Sequence, residues 1–138
     1  MVNKIENQFD SKDSQAIFVV PTYRSQEIGE TIERYSENFR SFGYSIPIIV
    51  FDDGKGEENR KRALKSFTEA EIDYPGDIWY VGEIEKKRFL SKLEAKTKIP
   101  PRLLQRIFKP SYGGNRNFTL AYTLGNLFIS SDDDMYPI

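Results

Sequence analysis

Three aspartates stand side by side, Asp132, Asp133 and Asp134, directly after a short apolar run; an acidic pair, Asp52-Asp53, closes another apolar run and is followed by Gly54. Adjacent carboxylates repel, so a pair taken out of water needs a cation or raised pKa values. A hard divalent ion such as Mn2+ or Mg2+ meets that need and commonly shares its oxygen ligands with substrate phosphates. Composition narrows the chemistry in the same direction. The 138 residues include no His and no Cys. That removes the commonest general base, the commonest zinc ligand, disulfides and thiolate chemistry. Acid–base work is left to carboxylates, Lys or Tyr.

Lys plus Arg is 20 and Asp plus Glu is 21, a net charge of −1 that excludes a nucleic-acid binder working through a basic surface. Hydrophobic content of 38% with 30% charged residues is a globular mix of single-domain length. No apolar stretch approaches the ~20 residues of a membrane span, and the N-terminus has no signal-peptide core. A cytoplasmic chain without a membrane span is the expectation. Residues 1–15 are polar and aperiodic. They read as a loose tail with a short ordered piece around Ile5 and Phe9, ahead of one domain over 16–138.

The elements that must position the aspartates follow from hydrophobic period. Residues 16–20, AIFVV, form a continuous apolar run closed by Pro21, the pattern of a strand covered on both faces. Ile28, Ile32, Tyr35, Phe39 and Phe42 recur in steps of four and three, one face of a helix, with Ser25 as its cap and Gly43 as its end. Residues 46–51, IPIIVF, are a second strand ending in the acidic turn. A helix over 57–70 turns Ala63, Leu64 and Phe67 inward, and 77–81, DIWYV, is a third strand with Trp79 as core. Residues 84–98 read as a charged helix with Phe89, Leu90 and Leu93 inward and Lys86, Lys87 and Arg88 on a solvated face. Pro100-Pro101 breaks it, and Leu103, Leu104, Ile107 and Phe108 suit a further short helix. SYGGNRN, 111–117, reads as a Gly-containing loop before a helix that Gly125 ends, and 127–129 is a fourth strand delivering the aspartates.

Strands alternating with helices make an α/β fold with a mostly parallel sheet flanked by helices, about four strands in a Rossmann-like arrangement. With strand order 3-2-1-4, the order reverses between strands one and four, where such sheets bind ligands beyond their carboxyl ends. Pro21-Thr22-Tyr23-Arg24, Asp52-Asp53-Gly54 and the three aspartates then reach one crevice. Neither the Gly-x-Gly-x-x-Gly nor the Gly-Lys-Ser/Thr phosphate signature is present.

Three segments in order, FVVPTYRSQEIGETIERY, IPIIVFDDG and GGNRNFTLAYTLGNLFISSDDDM, resemble the nucleotide-sugar-binding N-terminal half of inverting glycosyltransferases of family 2, which have the GT-A fold. The resemblance spans nearly all of 16–138. It implies a nucleoside-diphosphate sugar donor, a UDP sugar on base rate, and a divalent metal, Mn2+ or Mg2+. Position by position it places Pro21, Thr22 and Tyr23 along the nucleoside and Asp52 or Asp53, with Asp53 favoured, facing the base. Arg116 and Asn117 match the pair that opens the helix before the acidic motif. Asp132 and Asp134 match the ends of the Asp-x-Asp motif as metal ligands; Asp132 also faces the ribose, with Asp133 on the nucleotide side. The role implied is hexosyl transfer in polysaccharide or glycoconjugate assembly.

Family members continue well past this motif into an acceptor site and a catalytic carboxylate. The expectation is therefore a donor-binding part whose general base lies beyond the C-terminus, inactive alone. An apolar fourth strand at a sheet edge predicts self-association through that edge. The alternatives are a nucleotidyltransferase-like enzyme, disfavoured because PTYRSQE lacks a phosphate-loop glycine, and a non-catalytic nucleotide-binding or assembly module.

Overall fold

The computed structural model describes residues 16–24 and 26–138. Its strands are β1 (Ile17–Thr22), β2 (Ile48–Asp52), β3 (Ile78–Val81) and β4 (Phe128–Ser130). Its helices are α1 (Ile28–Ser41), α2 (Glu57–Asp73), α3 (Glu83–Lys96), α4 (Pro101–Ile107) and α5 (Tyr112–Tyr122). The strands form one parallel sheet, as the alternation of elements predicts, and their order, β3-β2-β1-β4, is the one on which the convergence of the polar clusters depends. Register pairs Val20 with Val50 and Thr22 with Asp52 on one side of β1, and Ile17 with Phe128 on the other.

Side chains along a strand alternate between faces. Here the alternation divides the core in two. Phe18, Val20, Ile48, Val50 and Tyr80 pack with Ile28, Ile32, Ala63 and Phe67 of α1 and α2. Ile17, Val19, Ile49, Phe51 and Val81 pack with Phe118 of α5, with Phe89 and Trp79 against them. Both faces are covered, which is why the strands read as continuous apolar runs. The second layer is an aromatic cluster: the Phe118 ring lies 5.0 Å from Phe89, 5.7 Å from Phe108 and 6.2 Å from Phe51, centroid to centroid.

Several boundaries differ from the sequence expectation, each for a physical reason. β1 runs through Pro21 to Thr22. Ile17 N–H donates to Leu127 O on the β4 side and Phe18 N–H to Pro47 O on the β2 side. Alternation therefore turns position 21 toward β4, which has already ended at Ser130, so the missing N–H costs no ladder bond. Phe42 is 70% exposed rather than inward. It caps α1, and Gly43, at φ 75°, turns the chain there. Tyr44 N–H donates to Phe39 O and Gly43 N–H to Arg40 O, the paired bonds of a Schellman end. The expected Ser25 cap and the tail with Ile5 and Phe9 lie outside the described residues.

SYGGNRN is helix, not loop. Ser111 is the N-cap of α5 and its side chain accepts from Gly114 N–H at 3.0 Å, so Tyr112 to Asn117 form the first turns. A Cβ on Gly114 would stand 1.8 Å from Lys109 O, so this glycine serves a close backbone approach rather than a flexible loop.

Candidate functional site

The acidic segment is held to the carboxyl end of β1 and to α1. Thr22, buried, donates through Oγ1 to Asp133 Oδ2 at 2.7 Å and accepts from Arg24 N–H at 2.9 Å. Thr31 Oγ1 on α1 donates to Asp133 O at 2.7 Å, and Tyr35 Oη shares a hydrogen bond with Ser131 Oγ at 2.7 Å. Ser131 N–H donates to Val19 O. The central aspartate is thus tied inward.

The outer two carboxylates turn away from it, each toward an arginine. Arg116 Nη2 lies 3.1 Å from Asp132 Oδ1, and Arg24 Nη2 lies 4.0 Å from Asp134 Oδ2. The Arg24 pKa is raised, chiefly by its hydrogen bond to the Tyr23 hydroxyl and then by the charge of Asp133. Among the described residues no group of three or more Asp, Glu, His or Cys side chains stands ready to hold a metal ion. The donor chemistry suits a different kind of site. Mg2+-type ions are commonly held by one or two carboxylates with water and phosphate oxygens completing the shell, and Asp132 and Asp134, 48% and 62% exposed, are the two carboxylates that could fill that role.

Beside the acidic segment lies a cleft of about 310 Å3 lined by Pro21, Thr22, Tyr23, Asp53, Lys55, Pro110, Ser111, Tyr112 and Asn115. That volume falls at the lower end of small-molecule sites. Tyr23 and Tyr112 are 65% and 68% exposed there, each with a guanidinium over its ring: Arg24 at 5.3 Å and Arg116 at 4.7 Å.

The floor is a paired network. Asp52, the last residue of β2, and Asp53, which follows it, point in different directions. Asp52, 1% exposed, points to the α2 side: Oδ2 accepts from Tyr80 Oη at 2.9 Å and from Asn59 Nδ2 at 3.1 Å, and Oδ1 accepts from Gly54 N–H at 2.7 Å. Burial first, then the Asp52 charge, drives the Tyr80 pKa up. Asp53 points the other way and lines the cleft, accepting from Lys86 Nζ at 2.6 Å and from Ser111 N–H at 3.0 Å. Lys86 also donates to Asp52 O and to Asn115 Oδ1, so all three of its protons are used. Burial lowers its pKa and the Asp53 bond opposes that shift. Asn115 is buried and donates to Phe51 O and Thr22 O, linking α5 to the ends of β1 and β2. Next to this network, Glu85 and Arg60 form a two-pronged pair at 2.6 and 2.7 Å.

Of the residues singled out from sequence, Pro21, Thr22, Tyr23 and Asp53 line the cleft, and Asp132, Asp133, Asp134 and Arg116 gather beside it. Asp52 lies under the floor, and Asn117 faces away, donating to Ile107 O of α4. Lys86 overturns the expectation of a solvated face. A signal for it existed: Lys86 shares the i, i+3, i+4, i+7 stripe with Phe89, Leu90 and Leu93. Nothing in the pattern pointed to Lys55, Tyr112, Asn115 or Thr31, whose roles depend on which elements meet.

The architecture is an α/β protein with a parallel sheet covered on both faces and a cleft beyond the carboxyl ends of β1 and β2, with the expected crevice between β1 and β4 replaced by an acidic segment beside it. No protein-family model and no curated protein matches the chain. The structure of core-mannan synthase A from Aspergillus fumigatus in a Mn/GDP form is similar at 18% identity and a TM-score of 0.33, over 67% of this chain and 27% of that chain. The present chain thus spans about a quarter of that protein's length. Among the described residues, no helix is long and apolar enough to cross a membrane.

Proposed function

We propose that this chain is the donor-binding part of an inverting glycosyltransferase, taking a nucleoside-diphosphate sugar with a divalent cation. The observation that carries the reading is one adjacency. The cleft of about 310 Å3 at the ends of β1 and β2 abuts the acidic segment after β4 through Thr22, which lines the cleft and bonds Asp133. A nucleoside between Pro21, Thr22, Tyr23 and Asp53 would extend its diphosphate past Arg24 toward Asp132 and Asp134. Those two carboxylates are the proposed ligands of Mn2+ or Mg2+, an ion that neutralises a departing diphosphate. Hexosyl transfer in polysaccharide assembly, with a UDP sugar as first candidate, is the role the family-2 resemblance suggests. Self-association through the β4 edge belongs to the same reading and is supported by the exposure of Leu127 and Ile129. Light scattering that finds only monomer at high concentration removes that part.

The test is thermal stability with UDP, GDP, dTDP and CDP, each with and without Mn2+, on this chain and on Asp134→Ala. A ligand at a hundredfold excess over Kd stabilises by about 2.7 kcal/mol, a readable shift. One nucleotide should stabilise the chain only with Mn2+, and Asp134→Ala should remove the effect. No stabilisation by any nucleotide, with or without metal, would overturn the proposal.

A further inference from the structure

The two outer aspartates are the proposed cation ligands, yet each faces a guanidinium: Asp132 faces Arg116 at 3.1 Å and Asp134 faces Arg24 at 4.0 Å. Each arginine is at the same time stacked on a tyrosine of the cleft wall, Arg116 on Tyr112 and Arg24 on Tyr23. The middle carboxylate is fastened to Thr22, and its charge acts on Arg24 more strongly than that of Asp134. Arg24 also lies nearer Glu27, at 3.8 Å, than Asp134, so the direct arm is the one that runs from Tyr112 through Arg116 to Asp132.

We infer that Arg116 is a built-in competitor of the divalent cation at Asp132. This rests on the donor-site reading above. A cation that takes Asp132 competes with the Arg116 guanidinium for Oδ1, which lowers the intrinsic affinity for the metal alone. The displaced guanidinium remains over the Tyr112 ring beside the cation. It then meets the diphosphate, for which a planar fork of donors is well matched. Metal and nucleotide diphosphate thus bind with positive coupling: each makes room or supplies charge for the other, and the coupling is reciprocal. Both partners of the Arg116–Asp132 pair are about half exposed.

Arg116→Gln tests this, with Arg40→Gln as the control for a lost surface charge, because Arg40 pairs with Asp73 away from the site. Mn2+ binding is read directly by electron paramagnetic resonance, first with Mn2+ alone and then with the diphosphate that stabilises the parent chain. An exposed pair of this kind is expected to shift affinity by about two- to fivefold. Arg116→Gln should tighten binding of Mn2+ alone by that factor relative to Arg40→Gln, and should weaken binding of the diphosphate in the presence of Mn2+. Adding Asp132→Asn should abolish the gain. Mn2+ that binds the parent and Arg116→Gln equally would overturn the competition while leaving the donor site intact. Mn2+ that binds neither chain, with or without diphosphate, would overturn both.

Discussion

Lys86 Nζ stands 2.6 Å from Asp53 Oδ1, and both side chains are nearly buried. This one contact joins α3 to the end of β2, and the other bonds of Lys86 and Asp53 extend it to Asn115 and Ser111 at the start of α5. Removing one partner of a buried pair leaves an uncompensated charge, at a cost of about 3–5 kcal/mol. Lys86→Met should therefore lower stability by roughly that amount in urea unfolding. Lys86→Met with Asp53→Asn should recover part of the loss. A double variant no better than the single one would show that the pair is not the source.

Adjacent glycines at the start of α5 should respond in opposite directions. A Cβ at Gly113 meets nothing within 4 Å, whereas one at Gly114 collides with Lys109 O. Gly113→Ala should raise stability by about 0.5–1 kcal/mol through lower chain entropy. Gly114→Ala should lower it by roughly 1–3 kcal/mol as the backbone yields. Thermal unfolding of the two variants decides the matter.

Thr31→Val keeps the shape of a fully buried side chain and removes its bond to Asp133 O. The expected cost is about 0.5–1.5 kcal/mol. Because the lost bond anchors the acidic segment, nucleotide affinity in the presence of Mn2+ should fall by more than that of Ser36→Ala. Ser36 is a comparably buried α1 hydroxyl that bonds only within its own helix. Calorimetric titration of both variants checks this.

Stability should fall at both ends of the pH scale, for different groups. Burial pushes the Tyr74 hydroxyl from 10.0 up to about 12. Its folded value is raised, so its contribution is complete below pH 10 and is lost as pH rises from 10 through 12. Tyr74→Phe should flatten the alkaline arm of a urea-midpoint profile. Burial alone would raise the Glu85 carboxyl, but the bonds from Arg60 outweigh it and hold the pKa below the ordinary carboxylate value. That contribution is present above the ordinary value and is lost as pH falls through the lowered one. Glu85→Gln should flatten the acid arm.

Residue type and hydrophobic period determined the α/β class and the four strands, because apolar runs that punctuate amphipathic helices must bury both faces of a sheet; which strands are neighbours was decided by the tertiary structure. They also brought forward Thr22, Asp53 and the three aspartates, since polar residues at strand ends are visible in any sequence. Tertiary structure alone decided how those groups are used. The chain leaving β2 sends Asp52 under the floor and Asp53 to the cleft. The meeting of α3 with β2 and α5 turns Lys86 from one charge in a run into a buried tie. The seating of the last segment on α1 directs one aspartate inward and the other two toward arginines. Period and propensity are local, whereas the partner of a charged group is set by elements far apart in sequence that packing brings within a few ångströms.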